Sequence, residues 1–140
     1  MQKPSRERQR PHKLKALVQA ARTARERAHA PFSRFKVGAA VEDEHGRIFT
    51  GCNIESASYG LSMCAERVAL FKALSEGAGK LKRIAVIADT ETLTPPCGAC
   101  RQILWEFCGD AELILANLAG REESVRIATL LPRPFDTSFL

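Results

Sequence analysis

No stretch of the 140 residues approaches the roughly 20 consecutive apolar positions that a membrane-spanning helix needs. The basic start is followed by no apolar block, so a secretory signal is not expected and the chain reads as cytoplasmic. Histidine is scarce and scattered: His12, His29 and His45 have no ligand-like neighbours, which argues against a histidine-built metal site. Five cysteines in a chain without a secretion signal argue equally against a disulfide framework. Neither an internal repeat nor a linker divides the chain. At this length one domain with one core is expected.

Hydrophobic residues make up 45% of the chain, enough for a packed core and too many for a disordered one. The formal net charge of +5 is unevenly placed, because residues 1–29 hold nine Lys or Arg against two Glu and the remainder is slightly acidic. A uniformly basic surface would suggest nucleic acid. Here the excess sits in residues 1–12, taken as a basic, solvated and flexible extension, and on the first helix. Residues 13–140 are then the single domain, and a nucleic-acid partner is not expected.

Leu14, Leu17, Val18, Ala21 and Ala24 recur at three and four, a helical stripe over Lys13–Ala28, and Pro31 stops it. Phe35 to Glu44 alternates like a strand, His45-Gly46 supplies a tight turn, and Arg47 to Ile54 returns as its hairpin partner. Glu55 to Gly60 is a polar loop. Ser62 is a candidate N-cap for a helix that carries Ala65, Val68, Ala69, Phe71 and Leu74 and ends near Gly77 or Gly79. Arg83–Ala88 reads as a strand buried on both faces. Gly98–Phe107 reads as a helix, Leu113–Ala116 as a strand and Ser124–Ile127 as a last strand, while the tail from Leu130 to Phe135 is expected to be irregular. This order predicts an α/β fold, a three-layer α/β/α sandwich around a mixed sheet of about five strands.

The chemistry lies in Ser62-Met63-Cys64-Ala65-Glu66-Arg67 and Pro95-Pro96-Cys97-Gly98-Ala99-Cys100-Arg101-Gln102. Cys97 and Cys100 are spaced for one helical turn and could be a metal pair or a redox dithiol. Cys64, with Glu66 beside it, favours metal. Three thiolates on Zn²⁺ leave the fourth position open for water, the mark of catalytic rather than structural zinc. Helix starts at these cysteines would favour ionised sulfur. Glu66 lies near the metal without having to bind it, so it can move protons, and apolar, anionic surroundings should raise its pKa. Three thiolates make the centre formally negative; Arg67 and Arg101 are the cations at hand, and Arg67 is the favoured partner. Cys52 and Cys108 lack ligand spacing and read as small buried hydrophobes.

Cys64-Ala65-Glu66-Arg67 with Pro96-Cys97-Gly98-Ala99-Cys100-Arg101-Gln102 resembles the small homotetrameric cytidine deaminases. So do Phe35-Lys36-Val37-Gly38-Ala39-Ala40, Asn53-Ile54-Glu55-Ser56-Ala57-Ser58-Tyr59 and Leu130-Leu131-Pro132-Arg133-Pro134-Phe135. The likeness runs from about residue 14 to 135. It implies a zinc hydrolase, with one zinc per subunit, that converts cytidine and 2′-deoxycytidine to the uridines in pyrimidine salvage. Cys64, Cys97 and Cys100 would be the metal ligands and Glu66 the catalytic acid and base. Phe35 would pack by the nucleoside and Ala65 belong to the substrate site. Asn53 and Glu55 would hold the ribose 3′-hydroxyl. Ala57, Tyr59 and Phe135 would reach into a neighbouring subunit's site, making the homotetramer part of the machinery.

Two other functions fit part of the pattern. A deaminase of a modified cytosine nucleoside, such as blasticidin S, shares Cys-Ala-Glu and Pro-Cys-Gly-Ala-Cys-Arg-Gln, but the Leu-Leu-Pro ending with Phe135 favours the ordinary nucleoside. A non-catalytic zinc-stabilised nucleic-acid-binding module would need a fourth protein ligand, and none is evident.

Overall fold

The hairpin at the sheet edge shows how the sequence pattern becomes layers. In the computed structural model, which describes the backbone of residues 6–140 and the side chains of 11–140, β1 (Val37–Asp43) turns through Gly46 into antiparallel β2 (Ile48–Cys52). Gly46 takes φ +79° at that turn, where a side chain would be strained. The sheet is completed by β3 (Leu81–Ala88), β4 (Glu112–Asn117) and β5 (Glu122–Arg126) in the order β2-β1-β3-β4-β5. Only the β3–β4 pairing is parallel, so the sheet is mixed as expected.

Side chains alternate between two cores. Val37, Ala39, Val41, Ile84, Val86, Leu113 and Leu115 face one way, packing with Leu70 of α2 (Ala65–Ser75) and Leu104 of α3 (Gly98–Cys108). Ala40, Ala85, Ile87, Ile114 and Ala116 face the other, against Leu17 and Ala21 of α1 (Arg6–Arg25). Strands buried on both faces read as near-continuous apolar runs for this reason. The result is the expected α/β/α sandwich.

Two glycines set how closely the helices approach. A Cβ on Gly38 would stand 2.0 Å from the carbonyl oxygen of Ala21, and one on Gly51 would stand 2.4 Å from the amide nitrogen of Ala69. α1 therefore lies directly on β1, and α2 directly on β2.

Several boundaries differ from expectation. α1 begins at Arg6, with Pro11 inside it, so residues 6–12 of the expected extension are helical; residues 1–5 lie outside the described residues. It ends at Arg25 rather than Ala28, because the His29 amide bonds the Asn53 carbonyl at 3.0 Å and draws the chain alongside Ile54. The N-cap of α2 is Cys64, not Ser62: the Ser62 hydroxyl is taken by the Ser56 amide at 2.9 Å. Ile127 does not end a strand but starts a short helix, α4 (Ile127–Leu130), where the Ala128 amide donates to Asp110 Oδ1 at 2.9 Å. Cys108 is buried as expected, whereas Cys52 is half-buried.

Candidate active site

Cys64 reaches its place because the chain after β2 closes on itself. Ile54 and Met63 exchange two backbone hydrogen bonds of 2.9 Å, which pin residues 55–62 as a loop and deliver Cys64 to the start of α2. Cys97 occupies the matching position at the start of α3, after the loop that leaves β3. Neither helix start has a side-chain cap, so free backbone N–H groups and the positive helix ends favour negative sulfur there. Cys100, one turn into α3, is fully buried.

The three sulfurs lie within 4.8 Å of one another, and Cys64 and Cys97 are 3.8 Å apart. Tetrahedral zinc with bonds of about 2.3 Å places its sulfurs about 3.8 Å apart. Among the described residues no fourth His, Cys, Asp or Glu joins the cluster. Three sulfurs thus fit one zinc ion with a position left open. Arg67 Nη2 donates to Cys64 Sγ at 3.6 Å, and its buried Nε has no acceptor among the described residues, a spare donor beside an anionic centre.

Electrostatics prepare the sulfurs for a cation. The Cys64 thiol is lowered to about 5, chiefly by a hydrogen bond from Cys100 and, against the cost of burial, by Arg67 and Cys97. Cys100 is pushed up, because it keeps the shared proton, is buried and faces the Glu66 carboxylate. A metal takes the place of that proton, since thiol ligands bind deprotonated. Glu66, in the first turn of α2, is 4% exposed. Burial above all, and then the Cys64 charge, push its carboxyl up, so it can hold or release a proton nearer neutrality than an ordinary carboxylate.

A cavity of about 360 Å³ opens onto this group, at the lower end of the range for small-ligand sites. Cys64, Glu66 and Cys97 line it with Phe35, Asn53 and Ala65, so six of the expected positions converge. Asn53 is bonded at both ends of its amide: Nδ2 donates to the Phe35 carbonyl at 2.7 Å, and Oδ1 accepts from the Val37 amide at 2.9 Å. It thereby fixes Phe35 at the cavity wall. Glu55 stands outside the lining, where its Oε1 accepts from the Phe32 and Ser33 amides at 3.0 and 3.1 Å. Hydrogen bonds from Ser33, side chain and backbone, hold its carboxyl below the usual range.

Ala57, Tyr59 and Phe135 do not line the cavity of their own chain. Tyr59 is 68% exposed and meets Phe32 edge-on at 5.7 Å; Phe135 is 62% exposed and stacks on Phe139 at 5.4 Å. Arg101 touches the cavity, but its side chain bonds the carbonyls of Pro96 and Leu130 rather than a sulfur. Val37, named in sequence only as part of a motif, lines the cavity too, and sequence reasoning missed Val86, Thr94, Pro95 and Pro96 as lining. Of the missed residues, only the prolines stood out in sequence, directly before Cys97.

Residues 11–116 match the family model described as the cytidine and deoxycytidylate deaminase zinc-binding region. A cytidine deaminase from Halalkalibacterium halodurans is 51% identical over 120 residues, covering 85% of this chain and 91% of that protein. The chain belongs to the cytidine deaminase family. Another member, from Sporosarcina psychrophila, is 48% identical over 123 residues, covering 87% of this chain and 90% of its own. The crystal structure of cytidine deaminase from Burkholderia pseudomallei superposes with a TM-score of 0.84 at 47% identity, covering 86% of this chain and 98% of that one. Zinc at the three-cysteine cluster is what the family and the sulfur geometry agree on.

Proposed function

We propose that the protein hydrolyses cytidine and 2′-deoxycytidine to uridine and 2′-deoxyuridine, releasing ammonia. The observation that carries this is the buried Glu66 beside a three-sulfur cluster on one small cavity, in a chain half identical to a cytidine deaminase over most of its length. Zinc held by Cys64, Cys97 and Cys100 supplies a Lewis acid that makes water nucleophilic near neutral pH. Glu66 takes the water's proton and gives it to N3 of the ring as the oxygen bonds to C4. It then takes the proton of the new C4 hydroxyl and delivers it to the exocyclic amine, the C4–N bond breaks, and ammonia leaves with C4 as a carbonyl and N3 protonated. A carboxylate raised by burial suits both transfers.

Arg67 offsets the negative thiolates through Cys64. Phe35 packs against the base and Ala65 borders it. Asn53 and Glu55 serve the ribose 3′-hydroxyl; an ionised Glu55 would repel a phosphate there, which favours the free nucleoside. Ala57, Tyr59 and Phe135, exposed on one chain, complete the site of a neighbouring copy in a homotetramer. No helix of the described residues is long and apolar enough to cross a membrane, in keeping with cytoplasmic pyrimidine salvage.

The test is to incubate zinc-loaded protein with cytidine and follow the loss of cytosine absorbance together with ammonia release, with blasticidin S as a competing substrate. Turnover of cytidine with one ammonia per uridine is expected. Failure to turn over cytidine overturns the proposal, and a preference for blasticidin S reassigns the substrate.

A further inference from the structure

The three sulfurs are not held alike. Cys100 is buried and Cys64 half-buried, whereas Cys97 is exposed and follows two prolines. Pro95 and Pro96 have no N–H with which to tie the loop down, and the helix start at Cys97 has no side-chain cap. The group that fastens this segment is Arg101. Its Nε donates to the Pro96 carbonyl at 2.8 Å, its Nη1 to the Leu130 carbonyl at 3.0 Å, and its backbone N–H to the Cys97 carbonyl at 2.9 Å. Pro96 is fully buried, so its carbonyl needs an internal partner.

We propose that Arg101 is a positioning residue: by clamping Pro96 to Leu130 it sets where Cys97 stands relative to Cys64 and Cys100, and hence how firmly the cluster keeps zinc. The proposal rests on the zinc site described above. Lysine is a point donor and cannot span two carbonyls as the guanidinium fork does. Alanine leaves the buried Pro96 carbonyl unpaired. With the clamp gone, the exposed Cys97 is the ligand that leaves first. A control lies next door: Gln102 Nε2 donates to the Phe135 carbonyl at 2.6 Å, a bond that fastens the C-terminal segment and does not involve the Pro96 carbonyl.

Zinc-loaded Arg101→Lys, Arg101→Ala and Gln102→Ala are mixed with a chromophoric zinc chelator at neutral pH, and the rate of zinc transfer is followed. Both Arg101 variants are expected to release zinc about tenfold faster than the unaltered protein, or more, while Gln102→Ala releases it at the unaltered rate. With zinc in excess, kcat of the Arg101 variants falls while KM holds. Unaltered release from folded Arg101→Lys overturns the proposal even if Arg101→Ala does not fold. Equal acceleration by Gln102→Ala overturns it too, since docking of the tail would then be the cause. Failure of the zinc site itself looks different: the unaltered protein would carry no zinc to release.

Discussion

Arg67 Nη2 stands 3.6 Å from Cys64 Sγ, one turn apart on α2. The same helix start therefore supplies a sulfur ligand and, three residues on, the cation that answers its charge. In zinc-free protein the Cys64 thiol is lowered to about 5. Arg67→Gln removes a donor that stabilises the thiolate, so the thiol should titrate higher. The rise is partial, because the hydrogen bond from Cys100, the largest contribution, remains. The pH dependence of alkylation by a thiol reagent reads the change; an unmoved titration would show that Arg67 does not act on Cys64.

Glu66→Gln keeps the shape of a buried side chain and removes its capacity to carry a proton. Activity on cytidine should fall by about 10²–10⁴-fold, with zinc content unchanged. Loss of zinc along with activity would make Glu66 a structural support of the cluster rather than a proton carrier.

Gly51 and Gly38 separate stability from function. Alanine at either position places a Cβ inside van der Waals contact with a helix backbone, and each variant should lose about 1–3 kcal/mol in denaturant unfolding. At Gly51 the helix pushed away is α2, whose Ala65 carbonyl would lie 2.8 Å from the new carbon and whose next residue is Glu66. Folded Gly51→Ala should therefore lose kcat, while folded Gly38→Ala, which displaces α1, should keep it.

Tyr59 and Phe135 are exposed, and neither lines its own chain's cavity. If they complete a neighbour's site, Glu66→Gln and Phe135→Ala chains, each impaired alone, should regain activity when co-assembled, because some sites then pair an intact Glu66 with an intact Phe135. Native mass spectrometry checks that a homotetramer forms. Additive activities in the mixed assembly would place Phe135 outside the shared site.

The cluster was legible because its residue types and spacing leave few alternatives: a cysteine pair one turn apart, a third cysteine, and a carboxylate two residues from it. The layers were legible because both-face burial leaves unbroken apolar runs such as Ile84–Ala88. Partners distant in sequence were hidden. Ser62 has the residue type of an N-cap, but its hydroxyl is claimed by the Ser56 amide across the loop. Arg101 reads only as a cation at hand for the thiolates until α4 brings the Leu130 carbonyl, 29 positions away, within 3.0 Å. The early end of α1 depends on Asn53, which approaches His29 only once β2 is paired. Each miss is a hydrogen bond created by the fold and invisible to local propensity.

Zinc K-edge X-ray absorption on the native protein tests the metal centre most directly. Three sulfur scatterers at about 2.3 Å and one lighter scatterer at about 2.0 Å are predicted, the pattern of a catalytic site with an open position. Four sulfurs, or fewer than three, would contradict it.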